Sequence, residues 1–138
     1  MLTLFTAGGV CSAAAVTRWY LNRTSRREET FCRGHVELSE VWNEGAAFSL
    51  PVSRKSVEVL SAAALAAAWC ERRRAPIAAG LVLGGGCANL YERRRYQKVY
   101  DYVRFPKAPG KAKRYVWNLA DFAVMAGAAG LLLSEKKR

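Results

Sequence analysis

Histidine is nearly absent from this 138-residue chain. His35 stands alone, which leaves little room for a histidine base or a histidine-ligated metal. The four cysteines, Cys11, Cys32, Cys70 and Cys87, form no CxxC and no Cys/His spacing, so neither a zinc site nor a redox motif is read from them. Cys11, Cys70 and Cys87 lie in small-residue apolar runs and are expected to be packing residues, whereas Cys32 sits in a polar segment where a thiol is open to reagents. No positively charged stretch opens the chain, so residues 1–21 are expected to be a retained helix rather than a secretory signal peptide. Acids are scarce, 11 against 22 Lys and Arg, and no internal repeat is present.

The resulting net charge of +11 attracts phosphate, whether in nucleic acid or in anionic lipid. Hydrophobic residues make up 51% and charged residues 24%, and the mean hydropathy of -0.06 averages two unlike populations, because charge falls in blocks separated by long uncharged stretches. A membrane span needs about 20 mostly apolar residues. Four segments approach this: 2–21, with Arg18 placed to snorkel; 56–70, the shortest; 75–91, uncharged and rich in Gly and Ala; and 115–134, which contains one acid, Asp121. Runs such as Gly84-Gly85-Gly86 and Ala126-Gly127-Ala128-Ala129-Gly130 let helix backbones approach closely within a membrane. A soluble bundle would carry a charged stripe along each helix, and 75–91 has none. The polar segment 22–55, where Val36, Leu38, Val41 and Trp42 loosely alternate, is expected to form short strands at the membrane surface. The segment 92–114 is expected to be a basic loop after an initial structured part, and 71–74 a tight turn. The expected fold is therefore an all-α membrane protein: one domain over 1–138, four transmembrane helices near 2–21, 56–70, 75–91 and 115–134, and a small extracytoplasmic β-like segment between the first two.

An aspartate within an apolar span is costly and is usually functional or internally paired, which singles out Asp121. Asn118, three residues earlier, would share its helix face. A second acid, Asp101, lies in the apolar patch Val99-Tyr100-Asp101-Tyr102-Val103. Two carboxylates in a partly dry site cannot both ionise easily, so one becomes an acid beside a base. Such a pair can activate water against an amide without a metal or a protein nucleophile.

The surrounding residues make a specific resemblance. Asn43-Glu44-Gly45-Ala46-Ala47-Phe48-Ser49 resembles the NxGAAFS motif of bacterial lipoprotein signal peptidases. Gly84-Gly85-Gly86-Cys87-Ala88-Asn89-Leu90-Tyr91-Glu92-Arg93 is similar to their GGxxGNxxDR motif, Val99-Tyr100-Asp101-Tyr102 to VVDF, and Trp117-Asn118-Leu119-Ala120-Asp121 to FNxAD. The four occur in the family's order and spacing. The resemblance implies a four-helix peptidase of the cell membrane, a multi-pass protein that removes signal peptides from prolipoproteins bearing a diacylglyceryl-cysteine. It implies Asp101 and Asp121 as the catalytic pair, with Asn43, Gly45, Asn89, Arg93 and Asn118 supporting the site and the substrate backbone. Taken singly, Asn89 also suits a helix C-cap, Arg93 an interfacial anchor, and Asn43 and Gly45 a turn.

The chain departs from the family pattern at several points. Ala14 and Arg18 stand where the first helix usually carries an Asp and a Lys. Ala88 replaces a Gly, Glu92 lengthens the acid of the DR pair by one methylene, and Trp117 replaces a Phe. These changes keep a second reading open: a catalytically altered, signal-peptidase-like membrane protein that binds lipopeptide or a protein partner. With the termini inside, the inner segments would hold six Lys and Arg and the outer segments fifteen, against the positive-inside tendency. That distribution fits a basic loop that binds membrane lipid headgroups at the outer face; an inverted chain is the other solution. Arg93-Arg94-Arg95 with nearby tyrosines is the only feature favouring nucleic acid, and no nucleic-acid partner, cofactor or metal is expected.

Overall fold

The computed structural model describes residues 1–24, 29–44 and 52–136. The described residues form four helices and four short strands, in the order α1 (Leu2–Arg23), β1 (Thr30–Phe31), β2 (Val36–Asn43), α2 (Arg54–Cys70), α3 (Pro76–Tyr96), β3 (Val99–Arg104), β4 (Val116–Trp117) and α4 (Leu119–Glu135). Local chemistry sets their ends. Ser53 caps α2, its hydroxyl accepting from the Ser56 N–H at 3.2 Å. Pro76 opens α3, where its missing N–H has no helical partner to lose. Gln97 closes α3 at φ 62°, a left-handed stop that turns the chain into β3.

The strands form one antiparallel sheet in the order β1-β2-β3-β4. In the register of β2 and β3, Asn43 faces Val99, Trp42 faces Tyr100 and Val41 faces Asp101, with an irregularity between Leu38 and Val41. The expected β-like segment between the first two helices is thus half of the sheet. The other half comes from 92–114 and its flank, because Val99-Tyr100-Asp101-Tyr102-Val103 alternates with β-branched and aromatic residues suited to a pleated surface. That segment is correspondingly less of a loop than expected: α3 runs on to Tyr96 with three arginines in its last turn, which interact favourably with the helix dipole. The last helix starts at Leu119, not 115, since β4 and a cap occupy the residues before it. Short 3-10 turns lie at Cys32–Gly34, Glu71–Arg73 and Gly110–Arg114.

α3 is the central helix, packed against α1, α2 and α4. Its interior contacts are made mostly by small residues: Ala79, Gly80, Gly84 and Gly85 are buried on α3 beside Val82 and Glu92, and Ala120, Ala123 and Gly127 on α4. A methyl group at Gly84 would lie 2.7 Å from the Ala7 carbonyl oxygen of α1, and one at Gly127 2.6 Å from the Ala78 carbonyl oxygen of α3. Large apolar residues instead point outward, including Phe5, Val16, Val59, Leu60, Leu132 and Leu133. Among the described residues no helix is long and apolar enough to cross a membrane. Of the cysteines expected to pack, Cys11 is half-buried, but Cys70 and Cys87 are exposed, because alanine and glycine already fill the helix contacts.

This packing makes the glycines unequal. Gly84→Ala and Gly127→Ala should each lower stability by about 1–3 kcal/mol, the usual cost of overpacking. Gly8→Ala should not, since nothing lies within 4 Å of a methyl there. Thermal unfolding of the purified variants checks this, and an equal response at all three positions would contradict the close-packing account.

Candidate active site

Where β3, the end of α3 and the start of α4 meet, the sequence-identified residues come together. Asp101 alternates with Tyr100 and Tyr102 along β3 and is 5% exposed, and Asn118 is 4% exposed. Asp121 lies in the first turn of α4 rather than inside an apolar span, and Asn118 is the residue before the helix rather than a neighbour on its face. Together they form a capping box: the Asn118 side-chain oxygen accepts from the Asp121 N–H at 2.9 Å, and Asp121 Oδ2 accepts from the Asn118 N–H at 3.0 Å. Two otherwise orphaned helix donors are thereby satisfied.

The same asparagine reaches the other acid. Its Nδ2 donates to Asp101 Oδ1 at 2.9 Å and to Asn89 Oδ1 at 3.1 Å. Asn89 donates in turn to Asp121 Oδ1 at 2.8 Å, so it lies within α3 facing α4 and is not a C-cap. Asn43, diagonal to Asp101 across the β2–β3 ladder, donates to Asp101 Oδ2 at 3.3 Å. Gly45 lies outside the described residues.

Asp101, Asp121, Asn43, Arg93, Arg114 and Trp117 line a cavity of about 400 Å3. The Arg93 guanidinium acts electrostatically on both aspartates, so it belongs to the site rather than serving only as an interfacial anchor. Burial, with the Asp121 charge added to it, pushes the Asp101 carboxyl up to about 7, against the opposing pull of its bonds to Asn43 and Asn118 and of Arg93. Near neutrality, then, this carboxyl can hold or release a proton, as a group exchanging protons with a substrate must. Among the described residues no cluster of three or more His, Cys, Asp or Glu could hold a metal ion.

Three supporting contacts were not legible beforehand. The Tyr102 hydroxyl accepts from the Leu119 N–H at 3.0 Å, tying β3 to the first residue of α4. Glu92 Oε2 accepts from the Tyr100 N–H at 2.9 Å. Arg18 Nε lies 3.6 Å from Glu92 Oε1, so Arg18 turns inward to a partner instead of snorkelling. The period-2 pattern of Val99-Tyr100-Asp101-Tyr102-Val103 hinted that both tyrosines share the face opposite Asp101; nothing in the sequence named their partners.

Known proteins resemble the chain along the same lines. A curated lipoprotein signal peptidase from Methylobacterium sp. (strain 4-46) is 36% identical over 109 residues, covering 71% of this chain and 64% of that protein. One from Methylorubrum extorquens (strain PA1) is 35% identical over 105 residues, covering 69% and 60%. The chain thus spans less than two thirds of the length of these curated relatives. A solved structure described as a bacterial membrane enzyme superposes with a TM-score of 0.81 at 17% identity, covering 98% of this chain and 87% of that one, which shows a shared fold. The family model described as Signal peptidase (SPase) II matches residues 7–136. With that match running through all four motifs, the chain belongs to the signal peptidase II family.

Proposed function

We propose that residues 1–138 act as a single integral membrane domain, an intramembrane aspartic endopeptidase that removes signal peptides from diacylglyceryl-modified prolipoproteins. The observation that carries this reading is the joining of two carboxyls from different elements through one asparagine, beside a cavity able to admit a peptide. In the reactive form of the pair, Asp101 carries a proton and Asp121 does not. Asp121 takes a proton from water as the water oxygen adds to the scissile carbonyl carbon, and Asp101 gives its proton to the carbonyl oxygen. Collapse of the tetrahedral intermediate breaks the C–N bond, with the proton on Asp121 passing to the leaving amine and one hydroxyl proton of the intermediate returning to Asp101. Asn43 and Asn118 hold Asp101, Asn89 and Asn118 hold Asp121, and Arg93 completes the substrate side. The intact hydrogen-bond network favours chemistry over the catalytically altered alternative.

Membrane insertion, with all four helices spanning, is supported by the inverted distribution of residue size. Small residues fill the helix contacts while Phe5, Val16, Leu60 and Leu132, each more than half exposed, face outward, which is costly in water but not in lipid. Exposed aromatics mark both ends, Trp19 and Tyr91 near the site and Trp69 at the far end, as in an interfacial belt. The 17 residues of α4 give about 25 Å of length. That is short for a hydrocarbon layer of about 30 Å, and local thinning of the bilayer accommodates such helices. The exposed Lys107, Lys111, Lys113 and Arg114, between β3 and β4, suit anionic headgroups at the site end.

Replacing Asp101 or Asp121 by Asn keeps size but removes proton exchange. Either change should lower cleavage of a diacylglyceryl-modified prolipoprotein at least about 100-fold, and the double change should be hardly worse, because groups acting as a unit are non-additive. Loss of the signal-peptide mass from the substrate reports cleavage. Near wild-type rates in either folded single variant would defeat the mechanism.

The pH dependence follows from Asp101. Its folded value of about 7 lies above the ordinary 3.8, so the folded chain holds a proton that the unfolded chain releases. The stability contributed is fully present below pH about 4 and is lost as pH rises through about 7. The catalytic acid is lost over the same range. kcat/KM should therefore fall above pH about 7, and Asp101→Asn should gain thermal stability over wild type at pH 8 but not at pH 4. A rate still climbing at pH 9 would contradict the assignment of Asp101 as the acid.

A further inference from the structure

Glu92 on α3 and Arg18 on α1 meet away from the aspartate pair. Both are withdrawn from solvent, with side-chain exposures of 11% and 15%. Glu92 stands near the end of α3 and divides its carboxylate between two partners: Oε1 faces Arg18 Nε at 3.6 Å, and Oε2 accepts from the backbone N–H of Tyr100 at 2.9 Å. Tyr100 immediately precedes Asp101. Among the described residues β4 pairs with β3 at Val103 and Arg104, and ahead of that stretch the Glu92 carboxylate accepts from the Tyr100 N–H. Arg18 is fixed as well, its guanidinium lying 4.8 Å from the ring centroid of Tyr96. That ring packs edge-on against Trp42, which packs on Tyr100.

We infer that Glu92, braced by Arg18, is a positioning residue for Asp101: it fixes the β3 backbone one residue before the carboxyl, so that α1, α3 and β3 together set where that carboxyl stands. Glu92 does not line the catalytic cavity, so it acts through the backbone rather than on substrate. The Glu92 side chain reaches from α3 to both partners. Arg18 neutralises a carboxylate that also feels the charges of Arg93 and Asp121. This reading rests on the peptidase function proposed above.

The test compares Glu92→Ala, Glu92→Gln and Arg18→Met with wild type, on protein shown to be folded. Glu92→Ala removes the acceptor and should lower kcat about 30-fold with KM within about twofold, as a misplaced catalytic group does. Glu92→Gln keeps an acceptor for Tyr100 but loses the ion pair, so its loss should be about fivefold and matched by Arg18→Met. Adding Arg18→Met to Glu92→Ala should cost little more, because the two act in one chain of contacts. A kcat for Glu92→Ala within about threefold of wild type, or a loss confined to KM, would overturn the inference. If wild type cleaves nothing, the proposed function has failed, and the inference is judged by carbon-13 and amide NMR alone. Glu92→Ala should then still speed exchange of the Tyr100 amide and shift the Asp101 carboxyl resonance, while Glu92→Gln leaves the Tyr100 amide protected. An unmoved Asp101 resonance in Glu92→Ala overturns it.

Discussion

One side chain, that of Asn118, joins the two acids of this protein. An asparagine amide offers two N–H donors and one carbonyl acceptor. Here the donors go to Asp101 and Asn89, and the acceptor takes the Asp121 N–H. The third bond is also the N-cap of α4, so the interaction that starts the helix holds Asp121 within the network. Capping and the holding of Asp121 thus share one bond. β3 is tied to that helix start twice over, by Asp101 to Asn118 and by Tyr102 to Leu119.

The helix interfaces serve this junction. α3 carries Asn89 and Glu92 toward it, and Gly85 lets α3 approach the backbone of Ala120, the residue before Asp121. A larger residue there would displace the first turn of α4 and its aspartate together. With interiors made mostly of glycine and alanine, apolar bulk lies on the outside, where burial would come from a surrounding lipid phase. Structural economy and membrane insertion thus point to the same small-residue pattern, and the peptidase reading places the polar junction at one end of the bundle, within reach of the interface.

Much of this was legible because motif residues keep fixed spacing. Four short strings named the two acids, their asparagines and Arg93, which the fold brings to one junction; α1 and α2 lie close to their expected limits, while α3 runs on to Tyr96 and α4 begins only at Leu119. The division of the sheet was not legible, since β4 has only two residues and β3 sits in a segment dominated by positive charge. The capping box was missed for a different reason: Asn118, Leu119 and Asp121 read equally well as the interior of a longer apolar helix when 115–134 is taken whole. The Arg18–Glu92 pair was invisible because 74 positions separate its members, and each alone has an adequate surface reading.

The account stands or falls on Asn118 acting upon both carboxyls at once. Single-turnover cleavage of diacylglyceryl-modified prolipoprotein by Asn118→Ala, with folding checked by thermal unfolding, tests this most directly. The account predicts a rate about 10- to 100-fold below wild type but still measurable, because both acids remain while their alignment is loosened. A rate equal to wild type in the folded variant would contradict it, since the two aspartates would then be held without the residue that joins them.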